Sequence, residues 1–361
     1  MKPRKWLLVT LTMGLMMSLM PAVAADSQPV TTQQRTAIER ELRYYEANAT
    51  VLIGNAKSQP TIISNRVSTS DGRAQAISAH RLFPIASLEK GITGVALQQQ
   101  YDQGKLSPTT KLAQYFPQVA NSNNITVNNL ATHTSGLADL RTVAPVPIKT
   151  TKDNVAFTAH NYRLVNNRPG SWFYANVNYG FIALIISQIH HESYHQYLEK
   201  QLIRPNNIHG MKFFEQVGNN RDVTPNLVKP NVINNAGSAN TWIRLQREMS
   251  AEYGAGQILA TPLAYWQFIN RGLLGHSQIR KAYLSATYLS ASRQVHSNPA
   301  YYNGFYLTPG ELHANGFMDG YSCTAYVNLV KRRSFVVFAN NISIQKCREL
   351  AYHINRIYAR I

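Results

Sequence analysis

Leu82-Phe83-Pro84-Ile85-Ala86-Ser87-Leu88-Glu89-Lys90 is an apolar, strand-like run that delivers a hydroxyl and an amine onto the start of a helix. Beyond it, Leu88, Ile92, Val95 and Ala96 recur at helical spacing until Gly104, which predicts one long helix from Ser87 to that glycine. Residues three apart on a helix share a side, so Ser87 and Lys90 lie together. A serine hydroxyl is a poor nucleophile until a base takes its proton. A lysine serves as that base where burial and neighbours disfavour its charge. Taken alone, the spacing also fits an N-cap serine followed by a solvated lysine.

Outward from this helix, the two ends of the chain read alike. Residues 32–47 read as a helix with Ile38, Leu42 and Tyr45 on one face. Residues 50–53 read as a strand turning at Gly54-Asn55, and 61–67 as a second strand. Near the far end, residues 312–316, 324–330 and 334–340 read as strands, the last two joined by the basic turn Lys331-Arg332-Arg333. Ser343 then caps a final helix with Ile344, Cys347, Leu350, Ala351, Ile354, Tyr358 and Ile361 on one face. Between the ends lie helices and polar loops rich in Asn and Pro. There, residues 179–189 are apolar nearly all round and predict a buried helix, and Thr261-Pro262 opens another. This pattern predicts an α+β fold: a sheet part over about 32–106 and 253–361, interrupted by a helical part over about 107–252.

Residues 1–25 read as an address rather than a fold. Lys2, Arg4 and Lys5 precede an apolar run, and Pro21-Ala22-Val23-Ala24-Ala25 offers small residues for cleavage before Asp26, leaving 26–361 as the exported domain. The rival reading is a retained membrane anchor. In an exported chain, the lone pair Cys323 and Cys347 suggests a disulfide between a strand and the last helix, against two buried free thiols. The chain carries 36 Lys+Arg against 18 Asp+Glu, a formal charge of +18. That excess suits either an anionic cell wall or a substrate that is itself a polyanion. The export signal and the lack of any matching motif argue against nucleic acid.

Further motifs follow in order: Gln103-Gly104-Lys105-Leu106-Ser107, Tyr115-Phe116-Pro117, Thr132-His133-Thr134-Ser135-Gly136-Leu137, Pro169-Gly170-Ser171-Trp172-Phe173-Tyr174-Ala175-Asn176, residues 254–261, and His313-Ala314-Asn315-Gly316. With 83–90, these resemble the serine β-lactamase-related and penicillin-binding proteins over residues 48–342: class C β-lactamases, D-Ala-D-Ala carboxypeptidases, and esterases including teichoic-acid D-alanyl esterases. The resemblance implies a β-lactamase/transpeptidase-like fold, an antiparallel sheet flanked by helices with a large helical insertion. It makes Ser87 the nucleophile, Lys90 its base and Tyr174 the proton carrier of the second motif. Asn176 would bind substrate and hold Lys90, and His313 would open the third motif beside the substrate. The backbone N–H of Gly316 would join that of Ser87 as oxyanion hole. His133 would lie in a structural loop. His190, His191 and His195 have no matching Asp or Cys cluster and read as solvated, so no metal is expected, and no other cofactor is called for because Lys90 and Tyr174 supply the acid and base work.

The third motif departs from the family's usual Lys or His, Thr or Ser, then Gly. Ala314 lacks the hydroxyl that helps relatives hold a free carboxylate, and Asn315 adds a side chain where glycine is usual. Both departures turn the expectation from lactams and peptides towards esters. Arg141, Lys149, Lys152, Arg163 and Arg168, set against the single acid Asp153, flank the second motif and would suit a phosphate polymer. The leading expectation is a teichoic-acid D-alanine esterase at the cell envelope. A D-Ala-D-Ala carboxypeptidase acting on peptidoglycan stem peptides is the first alternative, and a catalytically impaired binding or sensor module the second.

Overall fold

The computed structural model describes residues 30–67, 77–148, 150–214, 241–292 and 299–359. The expected signal, residues 1–25, and Lys149 lie outside the described residues. The chain begins with α1 (Thr32–Tyr44), capped by a reciprocal Thr31–Gln34 pair, and the hairpin β1 (Ala49–Asn55) and β2 (Thr61–Asn65). β3 (Phe83–Pro84) leads through a 3-10 turn at Ala86–Leu88 into α2 (Glu89–Asp102). The middle holds α3 (Val127–Ala131), β4 (Leu137–Asp139), α4 (Thr151–His160), β5 (Tyr162–Leu164), α5 (Asn176–His190) and α6 (Tyr194–Leu198). After β6 (Met211–Phe213) and α7 (Thr241–Ser250) come β7 (Ile258–Ala260), α8 (Pro262–Gln267) and α9 (Ser277–Ser292). The chain returns to strands in β8 (Tyr301–Tyr302), β9 (Phe305–Thr308), β10 (Glu311–Met318), β11 (Tyr321–Asn328) and β12 (Arg333–Ala339), before α10 (Ile344–Ala359).

Strands from both ends build one seven-stranded antiparallel sheet, in the order β2-β1-β12-β11-β10-β9-β8. Its central strands are covered on both sides, so β12 is buried throughout. Side chains alternate between the covers. Phe335, Val337 and Ala339 pack with Ile38 and Leu42 of α1 and Leu350 and Ile354 of α10. Val336 and Phe338 turn the other way, to the core that α2, α5 and α8 share. That second core is built around α5, where Val177 to Ile186 are all buried. Such a helix needs apolar residues all round, as its sequence supplies.

The sheet corrects two expectations. The expected strand before Ser87 is only Phe83–Pro84, and it pairs with β7 in a separate small sheet rather than with the main one. Cys323 and Cys347 are both buried and both free. Cys323 faces the α2 core and lies 3.3 Å from the Ile85 carbonyl oxygen. Its neighbour Thr324 faces the other way, with its hydroxyl 3.7 Å from Cys347 Sγ. The two thiols therefore sit on opposite faces of one sheet, where no bridge can form.

Candidate active site

Ser87 sits where β3 bends into α2, and the bend is tight. Ala86, buried, has a left-handed backbone at φ +46° directly before the nucleophile. Ile85 N–H donates to the Ile258 carbonyl at 3.1 Å, and Ile85 O accepts from Leu88 N–H at 3.0 Å. The neighbouring Glu89 carboxylate accepts from the backbone N–H groups of Gln257 and Ile258, pinning the helix start to β7. Burial pushes the Glu89 carboxyl up to about 8, against those two hydrogen bonds and the charge of Lys90.

Lys90 is fully buried, with Nζ 2.9 Å from Ser87 Oγ and 3.1 Å from the Ala255 carbonyl oxygen. The ring of Tyr174 lies alongside, its centroid 5.0 Å from Nζ. His133 backs that ring at 4.3 Å. The imidazole Nδ1 accepts from Ala175 N–H and pairs with the Asn178 amide, so His133 shapes the tyrosine's loop and makes no bond to Ser87. Burial, then the charge of Lys90, holds His133 well below the usual imidazole range.

Asn176 begins α5. Its backbone N–H and that of Val177 donate to Asp139, which does the work of an N-cap from another element. Its side-chain Nδ2 donates to Glu252 Oε1 at 3.1 Å. The partners that hold Lys90 are Ser87 and Ala255, where Asn176 was expected.

Strand alternation decides which third-motif residue faces the nucleophile. Leu312, Ala314 and Met318 turn to the core that holds the Ser87 turn, and Gly316 packs against Ile85 and Leu88. His313 turns to the α10 side, stacked between Tyr306 at 5.1 Å and Tyr326 at 5.4 Å. Asn315 faces that side too, its Oδ1 accepting from Thr324 Oγ1 at 3.2 Å. The expectation that His313 stands beside the substrate is thus corrected: Ala314 holds the inward position, and the motif in space is Ala314-Asn315-Gly316.

Backbone groups alternate as well. Met318 and Tyr321 close the two-residue turn Asp319-Gly320, whose φ values of +43° and +88° suit a tight hairpin, so this pair exchanges hydrogen bonds. Two residues along, Gly316 and Cys323 do the same, which takes up the Gly316 N–H inside the sheet. Phe317 N–H points to the opposite edge, which β9 covers only as far as His313. The open-edge donor is therefore Phe317, where Gly316 was the expected one. Gly316 instead allows close approach: a Cβ there would lie 2.4 Å from Ile85 O.

A cavity of about 270 Å³ opens on Ser87, walled by Tyr174, Tyr301, Ala314, Asn315 and Arg348 among others. Arg348 comes from α10, far along the sequence, and has no ion-pair partner among the described residues. Sequence reasoning missed Asp139, Glu252, Tyr301 and Arg348, since none stands in a spaced motif. His190, His191 and His195 do not converge: His190 pairs with Gln100, His191 ends α5, and His195 stacks on Phe213. Among the described residues no group of His, Cys, Asp and Glu could hold a metal.

His313 yields a pH prediction. Burial, then the charge of Arg348, pushes its imidazole down to about 4 from the ordinary 6.5. The unfolded chain takes up that proton first, so the fold loses stability as pH falls from about 6.5 to about 4, and no more below. His313→Gln is expected to shrink the drop in melting temperature between neutral and acid buffer. An unchanged drop would remove His313 from the account.

A serine activated by an adjacent buried lysine, with a tyrosine beside the pair, defines a class of acyl-transferring serine hydrolase. The chain belongs to the β-lactamase family, whose model matches residues 49–353 and whose members include serine hydrolases. The Bacillus subtilis protein PbpX, which carries a penicillin-binding protein name, is 24% identical over 353 residues, 93% of this chain and 85% of that protein. FmtA from Staphylococcus aureus shares the fold at TM-score 0.71 and 20% identity, over 91% of this chain and 87% of FmtA. A penicillin binding protein from Bacillus halodurans does so at 0.69 and 18%, over 89% and 99%.

Proposed function

We propose that the chain is an exported serine hydrolase that removes D-alanyl groups from an anionic wall polymer, a teichoic-acid D-alanine esterase. The observation that carries this reading is the methyl group of Ala314 at the inward position of the third motif. A D-Ala-D-Ala peptide or a lactam brings a free carboxylate beside the bond to be cleaved. Ala314 gives that carboxylate neither a hydroxyl nor an ammonium group in place of its water. A D-alanyl ester has no such carboxylate. Its polymer is a chain of phosphates, which Arg348 at the cavity wall and the exposed Arg141, Lys152, Arg163 and Arg168 would attract.

In this reading Ser87 Oγ attacks the ester carbonyl while Lys90 Nζ takes its proton. The N–H groups of Ser87 and Phe317 receive the developing oxyanion. The polymer oxygen leaves with a proton returned through Tyr174. Water then repeats the sequence on the acyl-serine and frees D-alanine. The second reading, a D-Ala-D-Ala carboxypeptidase, is favoured by Arg348, whose guanidinium suits a terminal carboxylate, and by the name of the Bacillus subtilis relative.

The test is incubation with D-alanylated teichoic acid beside a muropeptide pentapeptide. Free D-alanine should appear from the polymer and not from the peptide, and vanish in Ser87→Ala. Release from the polymer no greater than in that variant would sink the proposal.

A further inference from the structure

Asn176 Nδ2 donates to Glu252 Oε1, which turns the amide so that its Oδ1 points elsewhere; that oxygen is buried with no hydrogen-bond partner. The other carboxylate oxygen, Glu252 Oε2, is also buried without one. Gly256 makes room for it, since a Cβ there would lie 1.8 Å away. Glu252 also starts the turn that holds the lysine. Its carbonyl accepts from the N–H groups of Ala255 and Gly256, both at 2.8 Å, and Ala255 O in turn accepts from Lys90 Nζ. One residue thus anchors both the second-motif amide and the loop that seats the base.

The charged neighbours of this carboxylate are Lys90 and Glu89 on α2, Asp139 on β4 and Glu248 on α7. Arg244 is engaged by Glu248 and Asp319, which leaves Lys90 as the cation that faces Glu252 among the described residues. Burial pushes the Glu252 carboxyl up to about 7; Lys90 pulls against it, and Asp139 and Glu248 add to it. The group therefore changes charge near neutrality, beside the base.

We propose that Glu252 is a positioning residue that fixes the amide of Asn176 and, through the charge it carries beside Lys90, makes activation of Ser87 depend on pH. The attraction between an ionised Glu252 and the Lys90 ammonium is mutual, so the carboxylate charge opposes release of the amine to Ser87. The inference rests on acyl transfer by Ser87 and not on which ester is the substrate.

The experiment follows the rate at which a fluorophosphonate probe labels Ser87 in the full-length protein, across the pH range around neutrality. In Glu252→Gln the side chain still accepts from Asn176 but carries no charge. The midpoint of the rise in labelling should move to the acid side by about one pH unit or more. Gly256→Ala keeps the acid but displaces its Oε2, and should lower the labelling rate about tenfold through a misplaced Asn176. An unmoved midpoint in folded Glu252→Gln overturns the proposal even where the rate falls, because a purely structural role lowers rate and stability alone. Should Glu252→Gln not fold, Gly256→Ala decides, and a labelling profile that matches the parent overturns the proposal. Labelling with the expected shift but without D-alanine release sinks the esterase reading alone. Release of D-alanine with an unmoved midpoint sinks only the role of Glu252.

Discussion

Replacing Lys90 by methionine is expected to slow acylation of Ser87 by about 10³- to 10⁴-fold, the upper range for loss of a general base. The lysine is the basic side chain within hydrogen-bond reach of Ser87 Oγ among the described residues, and His133, which backs the Tyr174 ring, is turned to Ala175 and Asn178. Methionine keeps the length and apolar stem of the side chain, so the comparison isolates the amine. The same change removes the charge that holds the Glu89 and Glu252 carboxyls down. Both will take up protons more readily, which limits the loss of stability that an unpaired buried charge would otherwise cause. Labelling kinetics with a serine-directed probe, together with a thermal melt, check both halves. A labelling rate within about tenfold of the parent would mean that another base serves Ser87.

Gly316→Ala is expected to be nearly as damaging, from one methyl group. Its Cβ would meet Ile85 O at 2.4 Å and Cys323 Sγ at 2.7 Å. Ile85 O is no passive wall, since it accepts from Leu88 N–H in the turn that presents Ser87. Either β10 or that turn must shift, which separates Phe317 N–H from the nucleophile. We expect a loss of about 1–3 kcal/mol in stability, as for other overpacked cores, and about a 100-fold loss in rate, as for a displacement near 1 Å. A variant that melts and labels like the parent would refute both the close packing and the part given to Phe317.

The elements that carry the nucleophile were legible because each rests on a local signal. Ser87 and Lys90 share a helix turn, so three residues of spacing bring them together whatever surrounds them. Thr261-Pro262 marks a helix start for the same reason, and Thr261 Oγ1 does accept from Ala264 N–H. The buried helix at 179–189 was visible because only a helix enclosed on all sides is apolar all round. Misreadings fell where a one-residue choice of face or edge decides the outcome. His313 looks like the motif residue in a linear pattern, yet its ring lies in a stack with Tyr306 and Tyr326, on the side of the sheet away from Ser87. The pairing of Cys323 with Cys347 failed on the same point, as consecutive strand residues face opposite ways.

By itself, then, the sequence determined the α+β class, the helix on which Ser87 meets Lys90, and the tyrosine and asparagine that follow Pro169-Gly170. Only the tertiary structure decided that Ala314 faces the nucleophile, that Phe317 offers the free edge N–H, and that Glu252, Asp139 and Arg348 converge on the site. The physical reason is the range of the forces involved. Helix spacing and caps act within a few residues and leave a mark in the chain. Strand register and the packing of distant helices come from burial summed over the whole core, which no short stretch records.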